Sequence, residues 1–263
     1  MKIQELNKEI REKSLKKIKH QTSQELAASW TQFDLMYSGK GQSIFMILPT
    51  TGCSWALADS GGCTMCSYIA DSSLEPVPAS TIIEIFNELL AKYQFDEATA
   101  AKIFTSGSFL NPSELPVEAR TAILKTLNNM ESITEIVVES RPEYVTQEVM
   151  EECCSIIPDK LFEVSMGLET SNDYTREFKI NKGFTTEDFE KAVNVIKDLK
   201  KEYNTKSKAY ILVKPILTSE KQAITEAIDS AKYAEEVGVD RVSFCPSTIH
   251  KGTVMEELWR KGS

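Results

Sequence analysis

The amino-acid sequence predicts an α/β fold: a partial (β/α)6 TIM-like barrel over residues 41–263, preceded by an N-terminal helical extension over 1–40. Three observations point that way. Six short, continuously apolar runs alternate with longer stretches whose apolar residues recur at helical spacing, the pattern of parallel strands joined by amphipathic helices. The 263 residues, 41% of them hydrophobic, suit one large domain with a real core. No low-complexity linker interrupts the alternation. A doubly wound open sheet leaves the same local pattern, so periodicity alone does not choose between the two.

The chain opens with Lys2, Lys8, Arg11, Lys13, Lys16, Lys17 and Lys19 against Glu5, Glu9 and Glu12, a basic segment on a protein of net charge −9 and pI near 5.0. That acidity excludes a protein gripping nucleic acid over its whole surface and leaves this segment as the local candidate for phosphate or an acidic partner. A solvated helix face is the plainer reading. Thr22 and Glu25 make a capping box for a second helix carrying Leu26, Ala27, Trp30 and Phe33. Ser38-Gly39-Lys40-Gly41 ends it.

The first strand, 43–48, is too short and too evenly apolar for an amphipathic helix. Thr81 and Glu84 then cap a helix with Ile82, Ile85, Phe86, Leu89 and Tyr93 on one face. Strands at 102–105, 135–139, 161–166, 209–213 and 241–244 follow, separated by helices at 116–129, from Thr146, at 186–202, and from Ser219. The helix from Ser219 shows Ile224, Ile228, Ala231 and Val237 as its inner face and stops at Gly238.

In such folds function gathers where strands end and helices begin. After the first strand stand Cys53, Cys63 and Cys66, spaced C-x9-C-x2-C. Ser106-Gly107-Ser108 follows the second, Glu139 and Arg141 the third, Glu169 the fourth, Lys214 the fifth, and Ser247 and His250 the sixth. Charged groups at the end of an apolar strand need partners, because half-buried and alone they are costly. Three thiolates in one loop can hold three irons of a four-iron cluster and leave the fourth open. They also suit a zinc site with a fourth ligand from elsewhere, and the spacing leaves both open. Cys153-Cys154 reads as buried packing. No G-x-G-x-x-G follows the first strand and no G-x4-G-K-[ST] occurs, so the phosphate-cradling glycines of nucleotide folds are missing. With only His20 and His250, a histidine-based triad has little material; His250 is a possible proton carrier or RNA contact. Without an apolar leader or an 18-residue apolar run, the expected place is a reducing cytoplasm, with no membrane partner.

Gly52-Cys53-Ser54-Trp55, then Ser60-Gly61-Gly62-Cys63-Thr64-Met65-Cys66-Ser67-Tyr68, resembles the radical S-adenosylmethionine superfamily, and within it the archaeosine-biosynthesis radical SAM proteins, RaSEA. Glu139-Ser140-Arg141-Pro142-Glu143, Met166-Gly167-Leu168-Glu169-Thr170, Asn181-Lys182-Gly183, and Gly252-Thr253 with Leu258-Trp259 support the likeness, which runs from about residue 30 to the end. The nine-residue first gap departs from the superfamily's usual C-x3-C-x2-C and is itself a feature of the archaeosine group. The resemblance implies a [4Fe-4S] cluster on Cys53, Cys63 and Cys66, whose open iron is chelated by S-adenosyl-L-methionine (SAM). It places Ser106, Gly107 and Ser108 at the methionine amino group, Glu139 and Arg141 at the ribose or methionine portion, and Glu169 near ribose or substrate. Met65 and Tyr68 would stand beside the adenine, and Lys214 would face an anionic substrate group. It further implies a tRNA substrate carrying a lysine joined through its side-chain nitrogen to 7-cyano-7-deazaguanine, a lyase step that leaves archaeosine, a lysine-transferring archaeosine synthase subunit as partner, and an electron donor. Another radical SAM tRNA-modifying enzyme, such as a methylthiotransferase, and a non-catalytic zinc-stabilised RNA-binding subunit remain as alternatives.

Overall fold

The computed structural model describes residues 3–18 and 21–262, so Lys2, Lys19 and His20 lie outside the described residues. In chain order the helices are α1 (Ile3–Leu15), α2 (Ser23–Leu26), α3 (Ser54–Leu57), α4 (Ala79–Leu90), α5 (Val117–Asn128), α6 (Gln147–Ile156), α7 (Thr186–Leu199), α8 (Glu220–Val237) and α9 (Val254–Arg260). The strands are β1 (Ala28–Met36), β2 (Gly39–Ile47), β3 (Thr99–Phe104), β4 (Ile133–Glu139), β5 (Leu161–Glu169), β6 (Thr205–Val213) and β7 (Arg241–Pro246). They form one sheet in sequence order, curled into a half-barrel. β2 to β7 are parallel, as the six apolar runs predict, and β1 is an antiparallel edge.

Strand alternation assigns the two faces. Ile44, Met46, Ile103, Ile136, Val138, Phe162, Val164 and Met166 point outward into one core with the helices. Their neighbours line the concave side, which is unusually charged. Glu163, with no exposed surface, lies 3.8 Å from both Lys208 and Arg241, and Lys102 pairs with Asp34 of β1. The half-barrel interior is therefore polar and internally paired.

Three expectations need correction. The capping box of Thr22 and Glu25 is real, but Ala27 turns extended and the helix ends at Leu26. Trp30 and Phe33 sit on a strand, where Trp30 stacks on Phe45 at 5.1 Å while Phe33 stays exposed, because positions three apart face opposite sides of a strand. Thr81 lies inside α4, whose N-cap is Pro78, although the predicted apolar face at Ile82, Ile85, Phe86 and Leu89 is buried. On α8 the buried residues are Ala223, Ala227, Ser230 and Ala234, whereas Ile224 and Ile228 are 56% and 48% exposed. Small residues let that helix lie close to the sheet, and the Ser230 hydroxyl accepts from the Ser171 amide at 2.9 Å.

Cys153 and Cys154 are buried on α6, as expected of packing thiols. Burial pushes both up to about 12 from an ordinary value of 9.0. Below pH 9 folded and unfolded chains hold these protons alike; above it the unfolded chain releases them first, so stability is lost as pH rises from 9 towards 12. Thermal melts of the metal-free protein are expected to stay level below pH 9 and fall steeply above it. Cys153→Ala/Cys154→Ala should lower the starting melting temperature and reduce that slope.

Candidate functional site

The three cysteines leave the C-terminal end of β2 in a loop held at every turn. Gly52 has φ +92°, and a Cβ there would meet the Ser72 hydroxyl at 2.5 Å. Cys53 stands at the N-cap of the single turn α3, and Gly61 and Gly62 follow with φ +70° and +77°, a left-handed pair that only glycine adopts without strain. Consecutive left-handed residues turn the loop's carbonyls outward, where other elements take them up.

The connection after β5 is one of these. Asn181, itself at φ +60°, donates to the carbonyls of Ser60 and Gly62 at 2.8 and 2.7 Å. Its own carbonyl accepts from Trp55 Nε1 at 2.7 Å, and Thr64 donates to Lys179 and Ile180 carbonyls through its hydroxyl and amide. Gly183 has no room for a side chain because the Trp55 ring lies 2.3 Å from an ideal Cβ. Asn181-Lys182-Gly183 is thus the seat on which the cysteine loop rests.

On the other side stands the loop after β3. Glu114, 2% exposed, accepts from the Ser54 amide at 2.8 Å, the Ser54 hydroxyl at 2.6 Å, Asn111 Nδ2 at 2.9 Å, and the Ser108 amide. One carboxylate therefore ties the residue after Cys53 to Ser106-Gly107-Ser108. Gly107 approaches the Cys53 Cα so closely that a Cβ would lie 3.1 Å from it. The Ser108 hydroxyl accepts from the Arg141 amide at 3.1 Å, which adds the end of β4 to the same assembly.

Arg141 is buried with its guanidinium 5.1 Å from the Trp55 ring and 5.5 Å from Phe184, paired with Glu143 through Nε. Its Nη2 is buried without a partner. Glu169, at φ +64°, pairs with Lys182 at 2.7 Å, and Gly167 leaves bare the space this pair crosses. Burial alone would push Lys182 down, yet Glu169, and Cys63 after it, hold it raised and charged. Glu139 faces the concave side; burial raises its carboxyl, against the pull of Tyr210 and Lys208. Cys245 of β7 is part of this region too, raised by burial and then by Glu169.

The structure brings Cys53, Cys63, Cys66, Ser106, Gly107, Ser108, Arg141 and Glu169 to one edge of the half-barrel, with Glu139 just inside it. Met65 instead packs with Ile216, Val254 and Met255 in a separate apolar cluster. Tyr68 is exposed, and the charges of Glu139 and Cys66 bear on it. Lys214, φ +67°, is exposed at the end of β6, where its carbonyl accepts from Ser247; the His250 carbonyl accepts from Thr253 at the start of α9. Sequence reading missed Glu114 and Lys182 as working residues. An Asx turn at Asn111, whose Oδ1 accepts from the Ser113 amide at 3.0 Å, was the available signal for the first.

The thiols fit a multi-iron cluster. Burial, then the charge of Cys63, pushes Cys66 up to about 12, and burial raises Cys53, so added positive charge is what would draw the protons off these two thiols. The unpartnered Nη2 of Arg141 belongs to a guanidinium on which Cys63 and Cys53 act, and it can meet an anionic group there.

A half-barrel of parallel strands carrying such a trio on its first loop defines a radical SAM protein, and the family profile described as the Radical SAM superfamily matches residues 47–228. Within that class the chain belongs to the family of the archaeosine synthase beta subunits. It is 39% identical to the "Archaeosine synthase subunit beta" of Methanosarcina acetivorans over 94% of this chain and 69% of that protein. To the subunit of the same name from Thermococcus kodakarensis it is 39% identical over 88% of this chain and 70% of the relative. An uncharacterized Methanocaldococcus jannaschii protein is 41% identical over 98% and 70%. Among solved structures, a radical SAM methyltransferase from Kitasatospora setae covers 77% of this chain and 35% of its own, at 11% identity and a TM-score of 0.47.

Proposed function

We propose that the chain is a radical SAM lyase of tRNA archaeosine biosynthesis, cleaving the carbon–nitrogen bond of a lysine adduct of 7-cyano-7-deazaguanine to leave archaeosine. It works with a lysine-transferring archaeosine synthase subunit and an electron donor. The observation that carries this reading is the three-thiol loop beside a buried guanidinium with an unpartnered Nη2, in a chain 39% identical to two archaeosine synthase beta subunits.

Cys53, Cys63 and Cys66 would hold a [4Fe-4S] cluster. When bound with SAM, it supplies one-electron cleavage of the cofactor and a primary carbon radical able to take hydrogen beside the substrate nitrogen. The chain's own residues do the rest. Arg141 offers its free Nη2 to a carboxylate, as a charged donor held in place by the Nε contact to Glu143. Ser106, Gly107 and Ser108 are fixed through Glu114 and present backbone groups for an amino group. The Glu169–Lys182 pair holds a carboxylate in one orientation towards a ribose, and Glu139 with Tyr210 lines the concave side on which substrate would lie. A net charge of −9 makes the partner subunit the principal holder of the RNA. Within this chain the exposed lysines 16 and 17, just past α1, are the local contact.

Anaerobic incubation of the reconstituted chain with SAM, a reductant and lysine-adducted tRNA should yield 5′-deoxyadenosine and archaeosine together. Absence of both with the cluster intact would refute the proposal. Lys182→Met should leave Glu169 buried and unpaired and weaken SAM binding on the order of tenfold, a loss of about 1.4 kcal/mol. Calorimetric titration of the reconstituted protein measures it, and unchanged affinity removes the pair from the site.

A further inference from the structure

The N-terminal helix reads in the sequence as a basic face, yet its most buried residues are polar. Ile3, Leu6 and Ile10 pack on the cluster of Met65, Ile216, Val254, Met255 and Leu258. Asn7 and Arg11 fall on the same stripe by helical spacing and are 2% and 3% exposed. Neither points into apolar packing. Asn7 Nδ2 donates to the carbonyls of Gly62 at 2.6 Å and Ser60 at 3.2 Å. Arg11 donates through Nε to the Gly61 carbonyl at 2.9 Å, and through Nη2 to those of Cys66 at 2.7 Å and Cys63 at 3.4 Å.

We infer that α1 is a clasp on the cysteine loop, with Arg11 and Asn7 as positioning residues for the cluster and the Arg11 charge tuning its reduction. The inference rests on the reading that the three cysteines hold that cluster. Two side chains of one helix take up the carbonyls of Ser60, Gly61, Gly62, Cys63 and Cys66, while Asn181 grips two of these from the opposite side. The loop is therefore held between α1 and the connection after β5. Contact between α1 and loop is close at the backbone as well: a Cβ on Gly61 would lie 3.0 Å from the Lys8 Cα and 3.1 Å from its nitrogen.

Packing alone does not account for Arg11. A buried guanidinium is costly unless a negative group answers it. Among the described residues no carboxylate forms an ion pair with Arg11. Its hydrogen-bond partners are backbone carbonyls, two of them those of Cys63 and Cys66 themselves. The negative group that completes this arrangement is the thiolate-bound cluster. Positive charge and hydrogen bonds near such a cluster favour its reduced form, and the hydrogen-bonded surroundings of metal ligands govern how firmly metal is kept.

The two roles separate by substitution. Arg11→Gln removes the charge and part of the fork, Arg11→Lys keeps the charge and loses the fork, and Asn7→Ala loosens the loop at constant charge. Each full-length variant is reconstituted anaerobically, and three quantities are read: the rate of iron release to a chelator, the midpoint potential by EPR-monitored titration, and the melting temperature of the metal-free chain. Arg11→Gln should release iron about tenfold faster or more and shift the potential to more negative values. Arg11→Lys should restore the potential but not the retention. Asn7→Ala should speed release and leave the potential in place.

A folded Arg11→Gln protein with wild-type release and potential overturns the inference. If that variant does not fold, Asn7→Ala and Gly61→Ala decide on release alone, and wild-type retention in both overturns it. A wild-type chain that takes up no iron overturns the cluster reading itself and the clasp with it. Wild-type loading with unaltered variants overturns only the clasp.

Discussion

Cys63→Ala is expected to yield a folded protein that keeps no four-iron cluster and forms neither 5′-deoxyadenosine nor archaeosine. Folding should survive because the loop is shaped by groups other than the sulfur. Gly61 and Gly62 set its course, Asn181 and Asn7 hold the Ser60 and Gly62 carbonyls, and the Thr64 amide donates to Ile180 at 2.9 Å. Activity should not survive, since two remaining thiolates leave a second iron without a protein ligand. Iron and sulfide analysis after anaerobic reconstitution, with product analysis beside it, checks both halves. Cys153→Ala, on α6 and outside the site, is the control that should still load iron. A Cys63→Ala protein with full iron and product would remove Cys63 from the ligand set.

Glu114→Ala should be the most damaging change outside the cysteines. The carboxylate is 2% exposed and accepts four hydrogen bonds, from Ser54 twice, Asn111 and the Ser108 amide. Bonds to an ionised acceptor are stronger than neutral ones. Removing it strands the buried Ser108 amide and the part-buried Ser54 amide, a loss on the order of 3–5 kcal/mol. For a chain of this size that corresponds to a fall in melting temperature of roughly 10 °C. SAM binding should fail with it, because the Ser106-Gly107-Ser108 loop loses its tie to Cys53. Glu114→Gln retains the shape but turns one acceptor oxygen into a donor facing another donor, so it should fall between wild type and alanine. A melting temperature within a degree or two of wild type for Glu114→Ala would show that the bridge is dispensable.

The parallel core was legible because each strand is a short apolar run between longer helical stretches, and Thr146, Ser219 and Gly238 cap or stop their helices as the sequence suggests. β1 was not. Its apolar residues at 30 and 33 mimic a helical stripe, and only pairing with β2 along the whole of both strands makes it extended. The inner face of α8 was misread for a related reason: alanines pack against the sheet more closely than isoleucines, and large residues were counted in their place. At the site, the cysteines and the strand-end residues stood out by spacing and position. Glu114 and Arg11 did not, because a bridge between backbone groups of distant loops leaves no local pattern. Arg11 did carry one sign, a charge on the apolar side of a helix, which the surplus of neighbouring lysines concealed.

The most direct test is the EPR spectrum of the anaerobically reconstituted, reduced full-length chain, recorded with and without SAM. A reduced four-iron signal whose g-values change when SAM is added is the expected result, since an iron without a protein ligand is where SAM binds. A signal indifferent to SAM, or a colourless protein carrying zinc and no iron, would contradict it.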